Sequence, residues 1–136
     1  MKKLMFMLAA VTMAACTQAA SVYWTCTNVY AGNDTDKVSG IAYFLTTDML
    51  AYSDAQALAG KGAAAITTAL GSAYSYTASA GTFSVASPGV ANATLGLSDG
   101  ADYTAYLMIF DTATVTDSSK FYLTATKSLS TYSGAD

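Results

Sequence analysis

A nucleophile in this chain would have to be Cys26 or a serine beside a lysine. The 136-residue sequence contains no histidine, the usual acid–base group near neutral pH, so a Ser-His-Asp triad cannot be assembled. Glu and Arg are missing as well: the nine acidic residues are all Asp and the six basic ones all Lys. A carboxylate pair would therefore be two Asp, and a phosphate clamp would have to rely on Lys. Cys26 falls on the same alternating face as Trp24, which predicts a buried, inert thiol rather than a reactive one. Zinc is equally poorly served, since one mature cysteine and no histidine cannot supply four ligands.

Hard oxygen ligands cluster at two places. Asn33, Asp34 and Asp36 share one turn, and Asp99 and Asp102 share another, which raises calcium as the one ion to weigh. Neither group follows the spacing of a calcium loop, and Asp and Asn favour turns anyway by bonding their own backbone. Tyr23, Tyr74, Tyr76, Tyr106 and Tyr122 all fall on predicted strands. Exposed, such rings make stacking platforms for sugars; half-buried tyrosines in a sheet are the ordinary alternative. No catalytic, cofactor-binding or metal-binding residue is assigned. The remaining charged groups sit where elements end: Asp48, Asp54, Asp99, Asp102 and Asp111 at caps and turns, and Lys37, Lys61, Lys120 and Lys127 in loops or at strand margins.

The elements follow from periodicity. Val22, Trp24 and Cys26 alternate with Tyr23, Thr25 and Thr27, the period of a half-buried strand. "AGNDTDK" (31–37) is turn chemistry and "GIAYFLTT" (40–47) a second strand, so the two are expected to pair as a hairpin. From Ser53 the period changes: Asp54 can cap, and Leu58, Ala65, Ile66, Ala69 and Leu70 share a helix face that ends at Gly71. Gly60 and Gly62 each cost a helix about 1 kcal/mol, which predicts a helix in two parts. The strand period then returns at Tyr74 and Tyr76 and at Phe83 and Val85. A further strand is expected at Leu95 and Leu97, after a Pro88-Gly89 turn. "YTAYLMIF" (103–110) is apolar on both faces apart from Thr104, as a strand covered from two sides should be, and "KFYLTAT" (120–126) follows. About seven short strands and one helical insertion predict a mainly β protein, a β-sandwich, with α+β as the alternative.

The N-terminus reads as an address. Lys2 and Lys3 precede an apolar run from Leu4 to Ala15, too short for a spanning helix and of the proportions of a secretory leader. Small Thr17 and Ala19 suit a cut behind Ala19. The competing pattern is Met13-Ala14-Ala15-Cys16, which would acylate Cys16 as a lipoprotein. Residues 1–20 are thus expected to be a signal peptide and 21–136 a single β-rich domain, secreted or in the cell envelope. Losing Lys2 and Lys3 takes the net charge from −3 to −5, which argues against nucleic acid and against a polybasic membrane patch.

The leader running into "SVYW", the "AYFLTTD" strand, and "YTAYLMIFD" with a later "KFYLTAT" resemble small secreted bacterial β-rich proteins of unknown function, many of them of the PEP-CTERM type. The "STYSGAD" ending carries no Pro-Glu-Pro motif or apolar span, so the resemblance does not imply tail-directed anchoring; release, or C-terminal truncation, is expected instead. Together these readings predict a non-catalytic exported surface, matrix or binding module, with a glycan or cell-surface component as partner and self-association through poorly protected strand edges. A small secreted hydrolase built from Asp, Lys and Ser, or a self-assembling surface protein, is the alternative.

Overall fold

A computed structural model describes residues 10–16, 21–30, 35–78 and 80–131. In chain order its strands are β1 (Ala10–Cys16), β2 (Ser21–Thr27), β3 (Ile41–Thr46), β4 (Ser75–Thr77), β5 (Phe83–Ala91), β6 (Asp102–Phe110), β7 (Phe121–Leu123) and β8 (Lys127–Ser130). Helices α1 (Tyr52–Ala57) and α2 (Ala63–Leu70) lie between β3 and β4. The protein is mainly β, and all strand pairs are antiparallel. One sheet has the order β1-β2-β5. The other runs β4-β3-β6, with β7 and β8 following one another along the far edge of β6.

Alternation along each strand decides which layer it faces. On β3, Ala42 and Phe44 turn to one side and Ile41, Tyr43 and Leu45 to the other; on β6 the split is Ala105, Leu107 and Ile109 against Tyr106, Met108 and Phe110. The first set packs on Val22, Trp24 and Cys26 of β2 and on Phe83 and Val90 of β5, and this is the interior of the sandwich. The second set is covered by Ala55 of α1 and by Ile66 and Leu70 of α2. Residues 105–110 of β6 are therefore all buried, while Thr104 is exposed. The larger sheet is the middle of three layers, sheet, sheet and helix, as the two-sided apolarity of 103–110 predicts.

The helical segment breaks where its glycines stand. α1 gives way to a turn at Leu58–Gly60, and Gly62 is the N-cap of α2. Gly71 ends α2 at φ 56°, a left-handed conformation that glycine adopts without steric cost. The expected cap at Asp54 is not formed. The N-cap of α1 is Ala51, with no side-chain bond, and Asp54 lies inside the first turn. There a carboxylate still favours the positive end of the helix dipole.

Three expected connections are different in the structure. β2 and β3 do not form a hairpin: the chain crosses from one layer to the other between them, held by the Tyr30–Lys37 bridge and by the Val38 N–H bonded to the Val29 carbonyl at 3.0 Å. Pro88-Gly89 is not a turn between strands but lies within β5. Val22 pairs with Val90 and Trp24 with Val85, five positions along β5 against two along β2. The surplus is absorbed as a bulge on an edge strand, a place where Pro and a left-handed Gly are both tolerated. Leu95 and Leu97 are not a strand. They belong to a turn in which both their N–H groups bond to the Asn92 carbonyl, and which folds the two side chains into the core. The strand expected over 120–126 stops at Leu123. The Thr124 N–H still donates to the Leu107 carbonyl at 3.0 Å, but the Leu107 N–H is accepted by Thr124 Oγ1 at 2.9 Å instead of by the backbone carbonyl, and β8 then resumes the pairing with β6. The apolar run expected as a leader contributes β1, paired with β2 from Ala10↔Thr27 to Cys16↔Ser21.

Two measurements of the urea midpoint check this architecture. A Cβ on Gly89 would stand 2.1 Å from the Val22 carbonyl oxygen on a backbone at φ +82°, whereas Gly60, at φ +77°, has nothing within 4 Å. Gly60→Ala is expected to cost about 1 kcal/mol for the left-handed conformation alone, and Gly89→Ala on the order of 3 kcal/mol; equal losses would contradict the bulge. The Trp24 indole N–H donates to the Tyr76 hydroxyl. Tyr76→Phe is expected to cost about 1–3 kcal/mol by orphaning a buried donor, and an unchanged midpoint would remove that bond from the account.

Candidate functional site

The residues with chemical potential are distributed, and most of them are engaged in closing turns. Cys26 is fully buried beside Trp24, and burial pushes its thiol up to about 12, so the thiolate needed for attack is scarce at neutral pH. Asp99 Oδ1 accepts a bond from Asn92 Nδ2 at 2.8 Å and closes the turn that carries Leu95 and Leu97. Asp102, the first residue of β6, accepts the Ser130 hydroxyl of β8 at 2.6 Å. Asp99 and Asp102 are thus tied to different elements. Asn33 and Asp34 lie outside the described residues, and Asp36 is exposed in the turn next to Lys37. Among the described residues no three His, Cys, Asp or Glu side chains are grouped to hold a metal ion.

The tyrosines build layers. Tyr106 is fully buried against the helices, donates its hydroxyl to the Leu50 carbonyl at 2.6 Å and meets the Tyr52 ring edge-on at 5.1 Å. Tyr74, Tyr76 and Tyr122 are half-buried against the sandwich interior. Tyr23 is half-buried on the opposite face of β2 from Trp24. Desolvation raises the hydroxyl pKa of Tyr43, Tyr76, Tyr106 and Tyr122, that of Tyr106 to about 12.

Among the described residues, three surface clefts bear on a candidate site. A groove of about 470 Å³ runs along the start of β6 and the end of β8, lined by Thr47, Asp48, Asp102, Thr104, Ser128 and Ser130. A second, of about 580 Å³, lies between the end of α2 and the 92–96 turn, with Met49 at its edge. The third, of about 510 Å³, has the widest choice of chemistry, with Ile66 and Phe121 beside Lys61, Asp117, Ser118, Ser119 and Lys120.

This third cleft is the candidate site, and its geometry follows from two loops. The α1–α2 junction places Lys61 on one wall. The 111–120 loop forms the other, pinned at its base by Asp111 N–H bonded to the Lys120 carbonyl at 3.0 Å and by Lys120 N–H bonded to Asp111 Oδ1 at 2.9 Å. Asp117 Oδ1 accepts the Ala63 N–H at 2.8 Å, satisfying one of the free donors of the α2 N-terminus from outside the helix. Ser119 Oγ accepts the Thr116 N–H at 2.8 Å and lies 2.7 Å from Thr112 Oγ1. A serine next to a lysine is therefore present, but its hydroxyl is a node in a network of neighbouring hydroxyls and backbone groups. The arrangement can seat a small apolar group under a rim of mixed charge. The cap role of Asp117 left no local signal in the sequence, because its partner lies 54 positions away.

The raised Cys26 and Tyr106 values set the expected pH dependence. The folded chain keeps these protons to higher pH than the unfolded chain, whose groups titrate near 9.0 and 10.0. Above those values the unfolded state holds fewer protons, so rising pH favours unfolding. The stabilisation is complete below about pH 9 and is lost on the way to about 12. The urea midpoint should be level from neutral pH to about 9 and then fall, with a shallower fall in Tyr106→Phe; a midpoint that holds steady up to about 12 would contradict the burial of these groups.

No protein-family model, curated protein or solved structure matches the chain.

Proposed function

We propose that this chain is an exported, non-catalytic β-sandwich acting as a surface, matrix or binding module, with residues 1–20 as its secretory leader. The observation that carries the reading is the use made of the few reactive side chains. Cys26, the candidate nucleophile, is enclosed between the sheets. The oxygens of Asp99, Asp102, Asp111 and Asp117 accept bonds that close turns, join strands or cap α2. Each of these bonds engages one carboxylate oxygen and orients the group toward its structural partner, whereas a general base is aimed at the proton it removes. Among the described residues most exposed positions are Ser, Thr, Gly or Ala, which suits a module working outside the cell. Among the described residues no helix is long and apolar enough to cross a membrane.

Two experiments test this. Intact mass of the chain recovered from a secreting bacterium is expected to show a start at Ala20 or Ser21; a diacylated Cys16 would replace release by a lipid anchor. A screen of the processed chain against glycosides, esters and peptides is expected to show no turnover. Single changes such as Asp102→Asn, Asp117→Asn or Lys61→Gln should cost at most about 1–2 kcal/mol. Turnover that vanishes with one of these while the chain stays folded would overturn the non-catalytic reading.

A further inference from the structure

We propose that the mature chain forms a two-fold dimer through β2, whose outer edge the leader leaves unpaired. The inference rests on removal of residues 1–20. With β1 gone, the smaller sheet is the β2–β5 pair, and β2 becomes an edge of seven residues whose main-chain donors and acceptors have lost the partner seen from Ala10↔Thr27 to Cys16↔Ser21. A cut at Ala19 or Ala20 starts the mature chain at the first residues of β2, so no preceding segment is left to fold over this edge.

The other sheet edges carry devices that discourage pairing. β5 is interrupted by its Pro88-Gly89 bulge. β4 is only three residues long. The β7–β8 edge is broken at Thr124 and flanked by Lys120 and Lys127. Short strands, bulges, Pro and Lys are the usual means of blunting an edge. β2, Ser-Val-Tyr-Trp-Thr-Cys-Thr, has none of them.

The occupant is a second copy because the strand is complementary to itself. Side chains alternate with period two, so an antiparallel partner must set inward residues opposite inward ones. A two-fold axis at Trp24 does this over the whole strand, with Val22 opposite Cys26 and Tyr23 opposite Thr25. It joins the two small sheets into one continuous sheet, β5-β2 against β2-β5 of the second copy. Neither β2 nor β5 contains a charged residue, so the contact brings no like charges together although each chain is acidic. The pairing reproduces, in seven-residue length and antiparallel sense, the one β1 makes in the structure.

The test uses the processed chain from a secreting bacterium, its start read by intact mass, and light scattering over a wide concentration range. The expected result is a twofold rise in mass to two chains, with slower amide exchange across Ser21–Thr27 in concentrated samples. Tyr23→Cys combined with Thr25→Cys should give a reducible covalent dimer on mild oxidation, because residue 23 of one copy faces residue 25 of the other. A correctly processed chain that stays at one-chain mass overturns the dimer while leaving the leader reading intact. A two-chain mass without the 23–25 cross-link, or without protection of β2 amides in the unmodified chain, places the contact elsewhere and overturns it as well. An intact mass that retains residues 10–16 overturns the leader reading, and the dimer with it, since β1 then keeps the edge.

Discussion

The packing of Trp24 between the two sheets is the contact on which the rest of the structure depends. Its ring stacks on Phe44 of the larger sheet at 5.0 Å, meets Tyr74 and Tyr76 edge-on at 6.2 and 5.3 Å, and donates its indole N–H to Tyr76. One side chain from β2 therefore reaches β3, β4 and the residue before β4. Truncation of a buried aromatic of this size typically costs about 3–5 kcal/mol, a large part of the 5–15 kcal/mol that holds a domain folded. Aromatic pairs add directionality to that burial, so Trp24 fixes how the sheets sit on one another as well as that they adhere. Cys26 and Val22 follow the same face and fill the space on either side.

With one face of the larger sheet closed in this way, the other must be covered too, because Tyr106, Met108 and Phe110 alternate with Ala105, Leu107 and Ile109 of the sandwich interior. The two short helices supply that cover. They add little of their own: six and eight residues are too few for a stable isolated helix, and they persist through Ala55, Ile66 and Leu70 packed on the sheet and through the external cap from Asp117. The polar residues are arranged by the same demand. Asp111, Asp117 and the Ser119 hydroxyl sit at loop ends and accept backbone N–H groups that the layers leave without partners.

Local periodicity made a good part of this legible. The alternation in β2, the two-sided apolarity of β6, the break at Gly60 and Gly62, and the buried state of Cys26 all follow from residues within a few positions of each other. What could not be read was pairing over distance. Pro88-Gly89 suits a turn and a bulge equally well, and the choice is made by β2, some 60 residues earlier in the chain. Lys-Ser-Leu-Ser has almost no strand signature; it becomes β8 because β6 offers an unpaired edge and Leu129 finds the sandwich interior. The absence of a β2–β3 hairpin has the same origin, since each strand pairs better with a distant partner in its own layer. The candidate cleft was legible only as composition: a serine next to a lysine was visible, but the network that occupies Ser119 belongs to the folded 111–120 loop.

The position of Trp24 has one more consequence, an optical one. It is the sole tryptophan of the chain, so its fluorescence comes from a single place, the seam between the sheets. Ring stacking and the bond to Tyr76 hold the indole away from water, and its emission will shift to the red only when that seam opens. The circular dichroism of the peptide backbone instead sums over every strand and helix. Comparing the two signals separates loosening of the layers from loss of secondary structure, without any label being attached.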